Sequence, residues 1–366
     1  MNYDGEISNG LSFVSLYSGC GGMDLGFRDA GFKPVWANDI DPLAMETYRS
    51  VLPGHDAVAG DISTLSSTPG PGDADLVIGG PPCQGFSVAG RMDPKDPRSR
   101  HVHTFLDVVG SVRPKAFVLE NVKALGINTR WAQLRDVLRD RAKLLGYKTE
   151  IFVLNASHFG VPQARERMFL VGLQAEFGDP QEPVSTTEES PVTLRSVLGD
   201  LPKYGEAGND SICAAKIVPA KSPVMRRSPW AGMLFNGAGR PMDLDRPAPT
   251  LPASMGGNKT PIIDQEQLEK GSESWVEAYH EHLSSGGKPK PSAPSRLRRI
   301  TVQEAAAIQT FPIGMKFSGS QSAQYRQIGN AVPPKLAYHV ARSLLPALLE
   351  GVEIDLRETR PARSMA

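Results

Sequence analysis

Cysteine is scarce in this chain: Cys20, Cys83 and Cys213 are the three among 366 residues. An odd, widely spaced set argues against a disulfide framework. With no CxxC pair or His/Cys cluster, no metal site is expected either. An excess of charge is missing too. Forty Lys and Arg balance forty Asp and Glu, so an anionic partner must be met by a local patch. No run approaches the length of a membrane span, and the start, MNYDGEISNG, is not a signal peptide. Internal repeats are absent. These absences point to a reduced, cytoplasmic protein with no membrane partner.

What the chain has is a 40% hydrophobic content, enough for a real core, with 36 Gly and 31 Pro that make it rich in loops. Its length suits two domains. The pivotal stretch is VIGGPPCQGFS, Val77 to Ser87. An apolar run ends at Gly79-Gly80, and Pro81-Pro82 then stiffen the backbone before Cys83. A thiol on a stiff loop just past a buried strand stands where an open α/β sheet places its chemistry. A lone cysteine is more often a packing residue; the Gly-Gly-Pro-Pro context moves the reading towards a nucleophile.

Around it, strands and helices alternate to residue 173, which predicts a mostly parallel sheet with crossover helices. SFVSLY (12–17) reads as a strand running into the glycine turn SGCGG, a turn that lets backbone approach a nucleotide-like ligand. A second strand ends in Asn38-Asp39-Ile40-Asp41. Asp41 suits the helix cap before Pro42, which leaves Asp39 for a ligand. Gly60-Asp61-Ile62 repeats the acidic end. A further strand, from Lys115, ends in Glu120-Asn121-Val122, and Arg165 and Arg167 lie two apart, on one face of an extended segment. From Pro202 to Ile300 the pattern is irregular and carries an excess of four positive charges, as a region meeting nucleic acid would. Thr301 with Glu304 reads as a capping box opening a helix. YRQIGNAVPP (325–334) reads as a turn, and an apolar helix follows from Lys335 to Leu349.

In order and spacing, FVSLYSGCGG (13–22), the Asp39 and Asp61 strand ends, GGPPCQGFS (79–87), ENV (120–122), QARER (163–167), RITVQEAAAIQTFP (299–312) and YRQIGNAV (325–332) resemble the cytosine-C5 DNA methyltransferases of bacterial type. The resemblance implies a Rossmann-like sheet binding S-adenosylmethionine, plus a smaller, irregular DNA-recognition domain. By position the catalytic and cofactor domain spans 1–188 plus 326–350, the recognition domain spans 189–325, and 351–366 form a disordered tail. Tyr17, Cys20, Gly21, Gly22, Ile62 and Pro82 would surround the cofactor. Asp39 would hold its ribose, Ile40 would pack on adenine, Asp61 would accept from the adenine amino group, and Asn330 and Ala331 would flank the methionine end. By the same resemblance Ser15 stands where many members have Asp, and His101 stands where an apolar residue, often Leu, borders the cofactor.

The chemistry fits these residues. Cytosine C5 needs a nucleophile at C6 before it can attack a methyl sulfonium, and Cys83 supplies a soft thiolate. Addition pushes charge onto N3 and O2. Glu120, with its pKa raised by burial, would protonate N3. The resemblance places Arg167 on O2 and Arg165 beside it. The target base must be flipped out of duplex DNA. Gln84 and Ser87 would contact the DNA or fill the space that the base leaves. Arg98, Arg226, Arg227, Arg240, Asn258 and Lys259 are candidate DNA contacts. Expected with this are the product S-adenosylhomocysteine, a monomer, association with a bacterial nucleoid, and a cognate restriction endonuclease as a functional rather than physical partner. An RNA (tRNA) cytosine methyltransferase or a catalytically inactive DNA-binding paralogue are the alternatives. The intact Cys83, Glu120 and Arg167 set argues against the second.

Overall fold

The computed structural model describes residues 8–82 and 100–349. The tail expected over 351–366 lies outside them. The chain divides into two compact units. The first comprises Met1–Gly160, Arg165–Glu188 and Ala331–Ala366, and the second Val161–Ala164 and Glu189–Asn330.

The first unit is the expected α/β sheet. Its elements begin with β1 (Ser12–Leu16), α1 (Gly22–Asp29), β2 (Lys33–Asp39), α2 (Pro42–Val51), β3 (Asp56–Ala59) and β4 (Leu76–Gly79). They continue with α3 (His101–Val112), β5 (Ala116–Val122), α4 (Lys123–Ile127), α5 (Ala132–Leu144) and β6 (Tyr147–Asn155). After the two-residue β7 (Gln163–Ala164), which belongs to the second unit, β8 (Glu166–Gln174) completes the sheet. The strand order is β3-β2-β1-β4-β5-β8-β6. The chain works outward from β1 to β3, then returns to lay β4 on the other side of β1. That reversal creates a switch point between β1 and β4, and ligands of open α/β sheets bind outside the carboxyl ends of the strands there.

The sheet is parallel from β3 to β5, as the alternation predicts. The reading is corrected at β8, which runs antiparallel to both β5 and β6. No crossover helix separates β6 from β8, only a short 3-10 turn over Ala156–Phe159 and the residues after it. A connection of that kind returns the chain in the opposite direction.

Local signals set several elements. Asp41 caps α2 by accepting from the amides of Leu43 and Ala44, with Pro42 in the first turn. The buried core of the first unit includes Leu16, Val77, Phe105, Phe117, Trp131 and Tyr147 between sheet and helices.

The second unit carries α6 (Leu194–Gly199), β9 (Pro219–Val224), β10 (Met233–Phe235), β11 (Ala248–Pro249), β12 (Ile262–Asp264), α7 (Gln265–Lys270), α8 (Trp275–Ser284), β13 (Leu297–Arg299), α9 (Val302–Ile308) and α10 (Gln321–Asn330). Its sheets are two-stranded, and one apolar cluster gathers Leu234, Phe235, Ile262, Val276, Tyr279 and Leu297. Polar side chains do much of the holding. Arg298 pairs with Glu304 at 2.5 Å in the interior, and Glu304 closes the capping box of α9 with Thr301. The segment reads as irregular from sequence because its strands are only two to six residues long and bonds such as Arg195–Asp245 and Arg296–Asp264 join residues far apart in the chain.

The turn expected at 325–334 is overturned. Residues through Asn330 are helical in α10, because Ala323, Tyr325 and Ile328 are buried and the Tyr325 hydroxyl donates to the Ile300 carbonyl at 2.6 Å. The last helix, α11 (Pro334–Leu348), returns to the first unit and packs on α1. At Gly26 the two helices approach so closely that a Cβ would sit 2.3 Å from the Pro334 carbonyl oxygen.

Candidate active site

One edge of the sheet gathers the ends of five strands, β1 to β5. From β1 the chain passes through Tyr17 into the glycine turn. Gly19 and Gly21 have φ of 55° and 87°, in the left-handed region that glycine enters freely. The two differ in surroundings. A Cβ on Gly19 would meet nothing within 4 Å, whereas one on Gly21 would press on Leu52 and Tyr48. Gly19 thus leaves room for a ligand to approach the backbone. Cys20, Gly21 and Gly22 are buried, and burial pushes the Cys20 thiol pKa up.

At the end of β2, Asp39 organises this turn. One carboxylate oxygen accepts from the Gly19 amide and the other from the Asp41 amide, each at 2.8 Å. Burial nevertheless raises its pKa, outweighing those bonds. Each oxygen retains a lone pair for a further donor. Ile40 beside it is 68% exposed, far more than an apolar side chain needs for the fold. Past β3, Asp61 accepts from the Ser63 amide and hydroxyl, which lower its pKa. Ile62 is buried.

At the end of β5 stands Glu120, its side chain 12% exposed, with Arg167 Nε 3.0 Å from one of its oxygens. The sheet explains the pairing. Val122 lies opposite Arg167 and Glu120 opposite Phe169, so Arg167 is the diagonal neighbour of Glu120 on the same face. Burial raises the Glu120 pKa even though Arg167 and Arg165 act to lower it. Leu119 lies opposite Gly79 in β4, which sets Glu120 next to Gly80. A Cβ on Gly80 would come within 3.0 Å of the other Glu120 oxygen. Asn121 donates to the Pro81 carbonyl at 3.1 Å. Pro81 and Pro82 are thereby fastened beside Glu120. Cys83, Gln84, Ser87 and Arg98 lie outside the described residues.

Arg165 is buried and donates to the Ala331 carbonyl at 3.0 Å. Asn330 is the exposed last residue of α10, in the second unit. In that unit Arg240, Asn258 and Lys259 are exposed on two loops held together, with the Gly239 amide donating to the Asn258 carbonyl. Arg226 and Arg227 are exposed on the separate segment after β9, where the Arg226 carbonyl meets the His280 ring. Among the described residues no cluster of His, Cys, Asp and Glu could hold a metal, and no helix is long and apolar enough to cross a membrane.

Residues 11–345 match the family model for C-5 cytosine-specific DNA methylase. The chain belongs to this family. It is 32% identical over 349 residues to the Type II methyltransferase M1.HphI of Haemophilus parahaemolyticus, a match covering 92% of this chain and 87% of that protein. It is 31% identical over 376 residues to the Type II methyltransferase M.NgoFVII of Neisseria gonorrhoeae, covering 96% and 91%. The crystal structure of the S. pombe Dnmt2 methyltransferase shares the fold, with a TM-score of 0.62 at 21% identity over 92% of this chain and 98% of that one.

This methylase is therefore a DNA cytosine-C5 methyltransferase, and its sequence had marked most of the strand ends that its fold gathers. Two features escaped that reading. The openness at Gly19, as against the burial of Gly21, depends on α2 and has no local signal. The contact of His101 with Tyr17 is the other: the position was expected at the cofactor's border, but not that its ring would stand 3.2 Å from the Tyr17 hydroxyl.

Proposed function

We propose that this methyltransferase takes its methyl group from S-adenosylmethionine and transfers it to a cytosine flipped from a short duplex site. The residues at the switch point suit that cofactor: an open backbone at Gly19, an exposed apolar side chain at Ile40, and carboxylates at Asp39 and Asp61 for ribose and adenine donors. When bound, it supplies a methyl group on a sulfonium, an electrophile that C5 can attack.

The observation that carries the reading is Glu120, buried, poised to hold a proton, and set between Arg167 and the Gly80–Pro82 loop. In the proposed mechanism the thiolate of Cys83, next in sequence after Pro82, adds to C6 of cytosine. Glu120 gives its proton to N3 as charge develops there, and the Arg167 guanidinium stabilises O2. C5, now part of an enamine, accepts the methyl group. Loss of the C5 proton to solvent then expels the Cys83 thiolate, and return of the N3 proton to Glu120 restores the neutral aromatic ring. Arg165, tied to the Ala331 carbonyl, acts as a fixed positive charge near Glu120. Both relatives described above are Type II methyltransferases, which supports modification alongside a restriction endonuclease. Arg226, Arg227, Arg240, Asn258 and Lys259 are proposed to meet the DNA, and the working form is proposed to be a monomer.

The test is a duplex carrying 5-fluorocytosine at the target, incubated with S-adenosylmethionine. A covalent adduct mapping to Cys83, lost in C83S, is expected. Methyl transfer undiminished in C83S would overturn the mechanism.

A further inference from the structure

Among the described residues three non-glycines have positive φ: Tyr17, Arg113 and Thr310. Tyr17, at φ 54°, joins β1 to the glycine turn, a place where a bulky ring is strained. Such a conformation persists only where its surroundings over-determine it. The Tyr17 side chain is held from α3, by a hydrogen bond with Thr104 and by the helix's first residue. The Tyr17 hydroxyl lies 3.2 Å from His101 Nδ1 and donates to the His101 carbonyl at 3.4 Å. With the hydroxyl proton given to the carbonyl, Nδ1–H donates back to the phenol oxygen. The rings meet edge to face, 5.5 Å between centroids.

This pair sits within the electrostatic reach of both acidic strand ends. Burial, then Asp61, Asp107 and Asp39, raise the Tyr17 pKa and keep it a neutral phenol. His101 in turn acts on Asp61. The side chains around Tyr17 are thus those assigned to the cofactor's nucleoside, and His101 reaches them through Tyr17.

We infer that His101 is a positioning residue for cofactor binding: it anchors the Tyr17 ring at the end of β1, so that Tyr17, Asp39 and Asp61 form a preformed nucleoside site. The inference rests on the proposed S-adenosylmethionine site. A preformed site binds more tightly because less ordering is left to do on binding. Loss of the anchor therefore weakens the cofactor while leaving the chemical step alone.

The experiment measures S-adenosylmethionine binding by calorimetry, and steady-state kinetics, for the wild type, H101L, H101N, Y17F and the Y17F/H101L double variant. Y17F removes one oxygen and keeps the ring. H101L and Y17F are each expected to raise Kd and KM for the cofactor about fivefold, the worth of one or two hydrogen bonds. Their kcat and KM for DNA should stay within about twofold. H101N, whose amide nitrogen can stand near Nδ1, should recover most of the loss. The double variant should be no worse than Y17F alone, because Y17F already removes the ring contact that H101L removes, along with the bond to the His101 carbonyl. Unchanged Kd in H101L, additive losses, or a loss confined to kcat would overturn the inference. I40A, which removes an exposed side chain the fold does not need, separates the two levels. If I40A weakens the cofactor tenfold while H101L does not, the nucleoside site stands and the role of His101 falls. If I40A binds like the wild type, the site itself is misplaced and the inference falls with it.

Discussion

Glu120 faces two arginines that favour its charged form, and burial that favours its neutral form, and burial wins. The acid proposed to act at N3 is thus retained to higher pH than an exposed glutamate allows. As pH rises through its raised pKa the proton is lost, so kcat should decline on the alkaline side. E120Q should lower kcat by about 10²- to 10⁴-fold, the range for losing a general acid, and remove that decline. Rate profiles of the two enzymes under saturating substrates would show it. Asp24 gives a second prediction. It is fully buried, accepts from the Tyr48 hydroxyl at 2.8 Å, and burial raises its pKa to about 6 from an ordinary value of 3.8. A carboxyl that holds its proton more tightly when folded stabilises the fold below the unfolded pKa and loses that contribution as pH rises from about 4 to about 6. D24N, which keeps the acceptor and never ionises, should gain on the order of 3 kcal/mol at pH 8 and little at pH 4. Denaturant unfolding at the two pH values measures the difference. At this scale the sequence was informative where chemistry limits the choice. An acid after the fifth strand and an arginine two residues from another were visible as types. The pairing of His101 with Tyr17 was not, because 84 residues separate them and only packing brings them together.

Elements repeat this division between local and tertiary causes. The Asp41-Pro42 start of α2 and the Thr301/Glu304 box of α9 were legible because a cap is decided within four residues. The direction of β8 and the helical state of 321–330 were not, since one depends on what links two strands and the other on burial against partners far along the chain. The seating of α1 on α11 is of the tertiary kind and is testable. Gly26 has backbone, not flexible side-chain ends, where its Cβ would fall. G26A must push the helices apart and should cost about 1–3 kcal/mol, the usual range for overpacking, read from the shift in the urea midpoint at unchanged slope. A substitution at exposed Gly199, the last residue of α6, is the matched control: like Gly26 it is helical without positive φ, but a Cβ there would meet nothing within 4 Å.

For the whole molecule, zero formal charge means that its overall field does not draw it to DNA. The proposed grip falls to local cations such as Arg240 and Lys259, exposed on neighbouring loops of the second unit. If both touch phosphates, R240A/K259A should reduce the slope of log K against log salt concentration by about 2, equally for cognate and random duplexes. An unchanged slope in a fluorescence titration would remove them from the interface. The seat of α1 also bears on how the enzyme is made. Gly26 leaves the ribosome roughly 300 residues before its partners at Pro334 and Ala337. At about 5–20 residues per second, the apolar side of α1 waits some 15–60 s of synthesis for its cover. The seat of α1 is therefore among the last contacts that the growing chain completes. A chain that ends before α11 leaves that side of α1 uncovered.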